Sequence, residues 1–153
     1  MDKQAMLEQY ISLYMTTFKY IGDLVSEPMK EYGISFEQFL MMRDLANGQQ
    51  LAVSELAKKR GVTKGAISRQ LKILMNQNYV LQARSEVDRR IFYLHLTSTG
   101  EALTVKINAV ILQRFSNWLD IIGEHDANEL RRIMDRVGHD IIEQEQDDPT
   151  PKN

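Results

Sequence analysis

The apolar period of this 153-residue chain changes in one place. From Met6 to Met75 hydrophobic side chains return every three or four residues, the spacing of one helix face. Past Asn78 they fall into two short runs, Tyr79–Ala83 and Ile91–Leu96, rich in aromatic and branched residues and parted by the polar stretch Arg84–Arg90. From Ser98 onward the helical spacing resumes. The chain therefore reads as mostly α with a small β-hairpin, and the hairpin carries a long charged tip.

Leu7, Tyr10, Ile11, Tyr14, Phe18, Ile21 and Val25 predict one long amphipathic helix stopping near Gly33. Ser35 with Gln38 spells a capping box, and Phe36, Phe39, Leu40 and Met41 predict a shorter helix ending near Asn47–Gly48. A third helix runs from Val53 to Lys59 and closes at Gly61. Thr63 caps a fourth, whose buried stripe is Ile67, Leu71, Leu74 and Met75. After the hairpin, Ser98 with Glu101 forms a second capping box, opening a long helix with Leu103, Ile107, Val110, Ile111, Phe115, Trp118 and Leu119 on one face. Gly123 ends it, and Asp126 with Glu129 restarts a last helix carrying Leu130, Ile133, Met134, Val137 and Ile141. By element order, residues 34–103 are a winged helix-turn-helix, 1–33 and 104–146 are long flanking helices, and 147–153, with Pro149 and Pro151, is a disordered tail.

The length suits one domain, and 43% apolar with 26% charged residues is an ordinary soluble balance that excludes wholesale disorder. With no cysteine, thiol nucleophiles, thiol redox sensing and Cys-containing metal sites are excluded. No apolar stretch approaches the ~18–20 residues of a membrane span, and Asp2 and Lys3 open a polar run unlike a signal peptide, so a cytoplasmic protein without membrane contact is expected. The net charge of −2 hides an uneven distribution. Residues 51–97 hold nine cations (Lys58, Lys59, Arg60, Lys64, Arg69, Lys72, Arg84, Arg89 and Arg90) against Glu55, Glu86 and Asp88, or +6. The remainder carries −8. A basic middle between acidic arms is the footprint of a polyanion-binding surface, most simply for nucleic acid.

Catalysis finds little support. His95, His125 and His139 are scattered, and Gly61–Gly65 lacks the strand and the Gly-Lys-Ser/Thr ending of a phosphate loop. His139 and Glu143 share a helix face but make only two ligands on an acidic surface, so neither a metal nor a cofactor is expected, and the chain does not read as an enzyme.

The hairpin carries Asp88-Arg89-Arg90, five residues from Ile91 to His95, then Leu96-Thr97, followed by Ser98-Thr99-Gly100-Glu101-Ala102-Leu103. Upstream stand Ser54-Glu55-Leu56-Ala57 and Gly61-Val62-Thr63-Lys64-Gly65-Ala66-Ile67-Ser68-Arg69. Through these motifs the chain resembles, over essentially its whole length, the multiple antibiotic resistance regulator (MarR) family of winged-helix transcription factors. Three positions depart from the family pattern: Ala52 replaces a capping Thr or Ser, Asn78 replaces a Gly, and Gln82 replaces an Arg. The resemblance implies that the terminal helices intertwine into a homodimer. It also implies that double-stranded DNA with an inverted-repeat operator is the partner, and that a small aromatic or phenolic effector is the ligand class. Tyr14, Phe39 and Trp118 either line a cavity for such an effector or pack as core; their spacing serves both.

A recognition helix enters the major groove by its N-terminal residues. Here these are Thr63, Lys64, Gly65, Ala66, Ser68, Arg69 and Lys72, on the face opposite Ile67, Leu71 and Leu74. Arg69 suits a bidentate guanine contact, while Ser68 and Thr63 suit phosphates at the positive helix end. In the wing, Arg89 and Arg90 suit DNA, Arg90 in the minor groove, and Asp88 is placed on the same side of an extended strand, able to hold Arg90 in a fork. The expected protein is a homodimeric, ligand-responsive repressor of a palindromic operator. The rival is a winged helix used as a protein-interaction module without DNA binding, and Lys64, Arg69 and Lys72 argue against it.

Overall fold

The computed structural model describes residues 2–143. Residues 144–146, the tail expected over 147–153, and the side chains of Ile142 and Glu143 lie outside what it describes. Asp2 caps α1 (Lys3–Leu13), its carboxylate accepting the Gln4 N–H at 3.0 Å. The helix continues through a five-residue π-helical turn, Tyr14–Phe18, into α2 (Lys19–Lys30), and the Thr16 hydroxyl donates back to the Ser12 carbonyl. A π turn adds about one residue to a helical turn and rotates the stripe beyond it by roughly 100°. The single stripe expected from the sequence is thus divided: Leu7, Tyr10 and Tyr14 stay exposed, while Val25 and Met29 pack on the core.

Gly33, at φ +64°, closes α2 in a Schellman motif, with the Ile34 N–H donating to the Met29 carbonyl and the Gly33 N–H to that of Lys30. The Ser35–Gln38 capping box is present and opens α3 (Phe36–Asp44). That helix ends short of Asn47–Gly48, where positive φ at both residues makes a turn instead. The turn leads into β1 (Leu51–Ala52), a strand too short to leave a pattern in the sequence. In α4 (Val53–Arg60) Ala52 has no side-chain acceptor to offer, and Glu55 supplies half a capping box by accepting the Ala52 N–H at 2.7 Å. Thr63 caps α5 (Lys64–Asn76), and Asn78 takes the left-handed conformation of the glycine it replaces.

The hairpin strands are β2 (Val80–Arg84) and β3 (Phe92–Leu96). β3 is central, pairing antiparallel with β2 (Val80 opposite Leu96, Arg84 opposite Phe92) and with β1 (Leu51 opposite Leu94). The expected two-stranded hairpin is therefore a three-stranded sheet. α6 (Ser98–Ile122) is capped by Thr97 and not by Ser98. The Thr97 hydroxyl accepts the Gly100 N–H at 2.9 Å and donates to the Asn78 carbonyl at 2.7 Å, tying the helix start to the turn that leads into β2. Glu101, freed from the expected box, accepts the Asn47 N–H. α7 (Glu124–Val137) starts directly after Gly123, two residues before Asp126, and a π-helical stretch Gly138–Glu143 follows.

The chain forms two compact units, one ending at Leu112 and one beginning at Gln113. The first is built on Phe39, Met41, Met42 and Leu45 of α3, which meet Leu56 of α4, Ile67, Leu71 and Leu74 of α5, Val80 and Leu94 of the sheet, and Leu103 and Ile107 of α6. In the second, the Phe115 and Trp118 rings pack at 5.7 Å. No helix among the described residues is long and apolar enough to cross a membrane.

One ion-pair cluster braces the helix-turn-helix. Asp44, its side chain 9% exposed, accepts from Arg60 Nε at 2.6 Å and from Lys59 Nζ at 2.9 Å, joining the ends of α3 and α4. Burial alone raises the Asp44 carboxyl pKa, but the hydrogen bonds from Arg60 and Lys59 and their charges outweigh it and hold the group below the usual carboxylate range. A depressed native pKa stabilises the fold above the unfolded value of ~3.9 and loses that contribution as pH falls through the native value. Asp44→Asn is expected to cost about 1–3 kcal/mol at pH 7. Its melting temperature and that of the parent should converge as thermal melts are taken from pH 6 down to pH 3.

Candidate nucleic-acid interface

The helix-turn-helix is set by a second Schellman motif. Gly61, at φ +64°, ends α4, the Val62 N–H donates to the Ala57 carbonyl, and the chain turns into α5. Because Ile67, Leu71 and Leu74 are buried, the opposite face of α5 is turned outward. Lys64, Gly65, Ser68, Arg69 and Lys72 are all exposed there, with Ala66 half-buried at the margin. Thr63 Oγ1 is occupied in accepting the Ala66 N–H at 3.2 Å, which leaves its hydroxyl hydrogen to donate outward. The positive end of the α5 dipole and the Lys64 ammonium lie together at this terminus.

The wing tip is ordered by its own polar groups. The Ser85 N–H donates to the Ile91 carbonyl at 2.8 Å, and Ser85 Oγ accepts the N–H groups of Val87 and Asp88. Asp88 and Arg90 do not lie on an extended strand, as the sequence suggests; they lie in a tight turn closed by Ile91 N–H donating to the Asp88 carbonyl at 2.9 Å. A turn brings residues two apart closer than a strand does, so the fork forms with one bond more than expected. Asp88 Oδ1 accepts from the Arg90 backbone N–H at 3.0 Å and from its Nε at 3.1 Å, and Oδ2 accepts from Nη2 at 3.0 Å. The side-chain hydrogen bond from Arg90, then the backbone one, lower the Asp88 carboxyl pKa. The pair is aimed outward, with the Arg90 side chain 91% exposed and Arg89 exposed beside it.

Two supporting contacts are invisible in the sequence. The Arg84 guanidinium stacks 4.9 Å from the Phe92 ring centroid at the foot of the wing, a cross-strand pair that follows once the hairpin register is known. Gln38, a cap by its spacing from Ser35, also donates to Gln70 of α5 at 2.8 Å. Lys59 and Arg60, which contribute to the charge of the basic middle, are engaged by Asp44.

The three residues expected at an effector cavity are differently placed. Tyr14 is 68% exposed on the π turn, Phe39 is wholly buried in the core, and Trp118 packs on Phe115 in the second unit. A groove of about 480 Å³ beside α5, lined by Glu37, Met41, Arg60, Val62, Ala66, Ile67, Arg69, Gln70 and Ile73, includes none of them.

A helix-turn-helix with a three-stranded winged sheet, an outward basic helix face and an arginine-bearing wing defines a winged-helix regulator of transcription. Comparison with known proteins places it further. The family model of the transcriptional regulator SarA/Rot matches residues 23–107, and the chain belongs to that family. It is 28% identical over 143 residues to the HTH-type transcriptional regulator TcaR of Staphylococcus aureus, covering 92% of this chain and 91% of that one. It is 24% identical over 130 residues to the HTH-type transcriptional regulator SarZ of Staphylococcus epidermidis, covering 85% of this chain and 87% of that one. Its fold is shared with FabT of Streptococcus pneumoniae, solved in complex with DNA, at a TM-score of 0.72 and 22% identity over 90% of this chain and 99% of that one. A mutant MarR from E. coli, solved with operator DNA, gives a TM-score of 0.70 at 18% identity over 90% of this chain and 99% of that one. The MarR-type winged-helix fold implied by the motifs around Asp88 and Thr63 is the fold observed.

Proposed function

We propose that this protein is a cytoplasmic, homodimeric, sequence-specific DNA-binding regulator that represses transcription from an inverted-repeat operator. The observation that carries the reading is the pairing, on one unit, of an exposed basic face on α5 with a wing whose Arg90 is held outward by Asp88. Operator DNA in the solved complexes of FabT and MarR, which share the fold, supports the partner class. Of the nine cations in residues 51–97, Lys59 and Arg60 are paired with Asp44, while Lys64, Arg69 and Lys72 on α5 and Arg89 and Arg90 on the wing form the proposed face; with five per copy, two copies neutralise roughly 6–10 phosphates. Log K is then expected to fall against log salt with a slope of roughly −5 to −9. Fluorescence anisotropy with a duplex selected by the protein from a random pool measures it; a slope near zero would remove the nucleic-acid reading.

The dimer rests on apolar side chains that water should not cover. Leu7, Tyr10, Tyr14 and Phe18 stand exposed along the first helical stretch, and Ile133, Met134, Val137 and Ile141 along the last. Stripes of this kind lose water on pairing with a second copy. Light scattering at micromolar concentration is expected to report about twice the 17.7 kDa chain mass, and a folded species at the single-chain mass would overturn the interface.

A further inference from the structure

α5 presses on the core through Ile67, Leu71 and Leu74, apolar contacts without direction that let a helix roll or slide. Among the described residues, its side-chain hydrogen bonds to the preceding helical layer are made by two amides. Gln38 is 5% exposed, and its Oε1 accepts the Ser35 N–H at 2.9 Å in the capping box. That bond fixes which way the amide faces, so Nε2 is the atom turned to α5, where it donates to Gln70 Oε1 at 2.8 Å. At the far end of α5, Gln77 Nε2 donates to the Gly33 carbonyl at 3.2 Å, while its buried Oε1 has no partner among the described residues. Rotating the Gln77 amide would bring its oxygen against the Gly33 carbonyl, so this amide too is held one way.

Both links end on the same short stretch, Gly33–Gln38, which spans the turn after α2 and the first turn of α3. They leave α5 seven residues apart, about 10 Å along the axis, and two directional contacts at that separation restrict both tilt and roll. We propose that Gln70 and Gln77 are positioning residues for DNA reading: through them Gly33–Gln38 sets the angle at which α5 presents Ser68, Arg69 and Lys72. The inference rests on the DNA-binding reading above. The two amides differ in kind, since Gln70 must accept and Gln77 must donate.

The experiment compares affinity for a duplex selected by the parent protein with affinity for the unselected pool at one salt concentration. Gln70→Met and Gln77→Met keep length and charge and remove the links. Each is expected to lower the selected-to-unselected ratio about tenfold, the size of one well-aligned base contact, with binding to the unselected pool and the salt slope unchanged. Gln70→Glu is expected to restore the ratio, because a carboxylate still accepts from Gln38, although the added charge lowers both affinities together. Gln77→Glu is expected not to restore it. Methionine variants with the parent ratio, or a Gln70→Glu variant as poor as Gln70→Met, overturn the positioning role. A parent protein that selects no sequence overturns the DNA-binding reading itself, a separate outcome.

Discussion

Arg90→Ala is expected to weaken binding to the selected duplex about ten- to hundredfold, with the melting temperature unchanged. The guanidinium is solvent-exposed and its hydrogen bonds within the fold go to Asp88, so its removal leaves no cavity and no buried charge. What it can reach is DNA, where a narrow minor groove concentrates negative potential and favours an inserted arginine. A free arginine loses considerable rotamer entropy on being ordered; Asp88 orders it beforehand by taking both its Nε and its Nη2. Asp88→Ala is therefore expected to cost less binding than Arg90→Ala, because the charge survives and only its aim is lost. Removing one phosphate-range cation per copy should also flatten the salt slope by about one to two. Titrations of the two variants across salt, with parallel thermal melts, decide it. An Arg90→Ala protein that binds like the parent and melts several degrees lower would make the fork a brace for the hairpin.

Gly100→Ala is expected to be the most destabilising single-methyl change in the first unit. Gly100 lies in the first turn of α6 with helical backbone, so its freedom of φ is not the point. A Cβ built there would sit 2.1 Å from the Tyr79 carbonyl oxygen and 2.9 Å from its carbon. Backbone cannot swing aside as a flexible side chain does, so α6 must lift from the hairpin, straining the Thr97 bonds to Asn78 and Gly100. Overpacking of this kind costs about 3 kcal/mol. At roughly 2–4 °C per kcal/mol for a chain of this size, the melting temperature should fall by about 6–12 °C. Gly22 supplies the control: it too is helical, nothing lies within 4 Å of its added Cβ, and Gly22→Ala is expected to stabilise by up to ~1 kcal/mol. If both variants melt with the parent, the close approach of α6 to Tyr79 is relieved at no cost and the packing argument fails.

Much of the site is legible in the amino-acid sequence, because the signals that carry it are local. The Ser35–Gln38 box, the Thr63 cap, Gly61 at a helix end and the two β-prone runs each depend on residues within a few positions of one another. The Asp88–Arg90 fork is equally local, though its turn geometry is not, because a seven-residue polar tip leaves several turn types open. The departures share one cause. Ser98 has the spacing of a cap for α6 because Glu101 follows it three residues on, but Asn47, fifty-four residues away, takes that carboxylate, and Thr97 caps the helix from the strand side. A two-residue strand such as β1 has no periodicity to detect and exists only because β3 offers an edge to pair with.

Periodicity and capping chemistry, which act over one or two helical turns, determined by themselves the order of the helices, the position of the hairpin and the outward basic face of α5. Which polar groups meet across the fold was decided only in three dimensions. Asp44 pairs with two cations of the basic middle, Gln38 reaches past its own helix to Gln70, and Gly100 is needed for a neighbour and not for its own φ. The physical reason is that hydrogen bonds and steric contacts fall off within a few ångströms, so their partners are chosen by the packing of distant segments, about which a local pattern of residues carries no information.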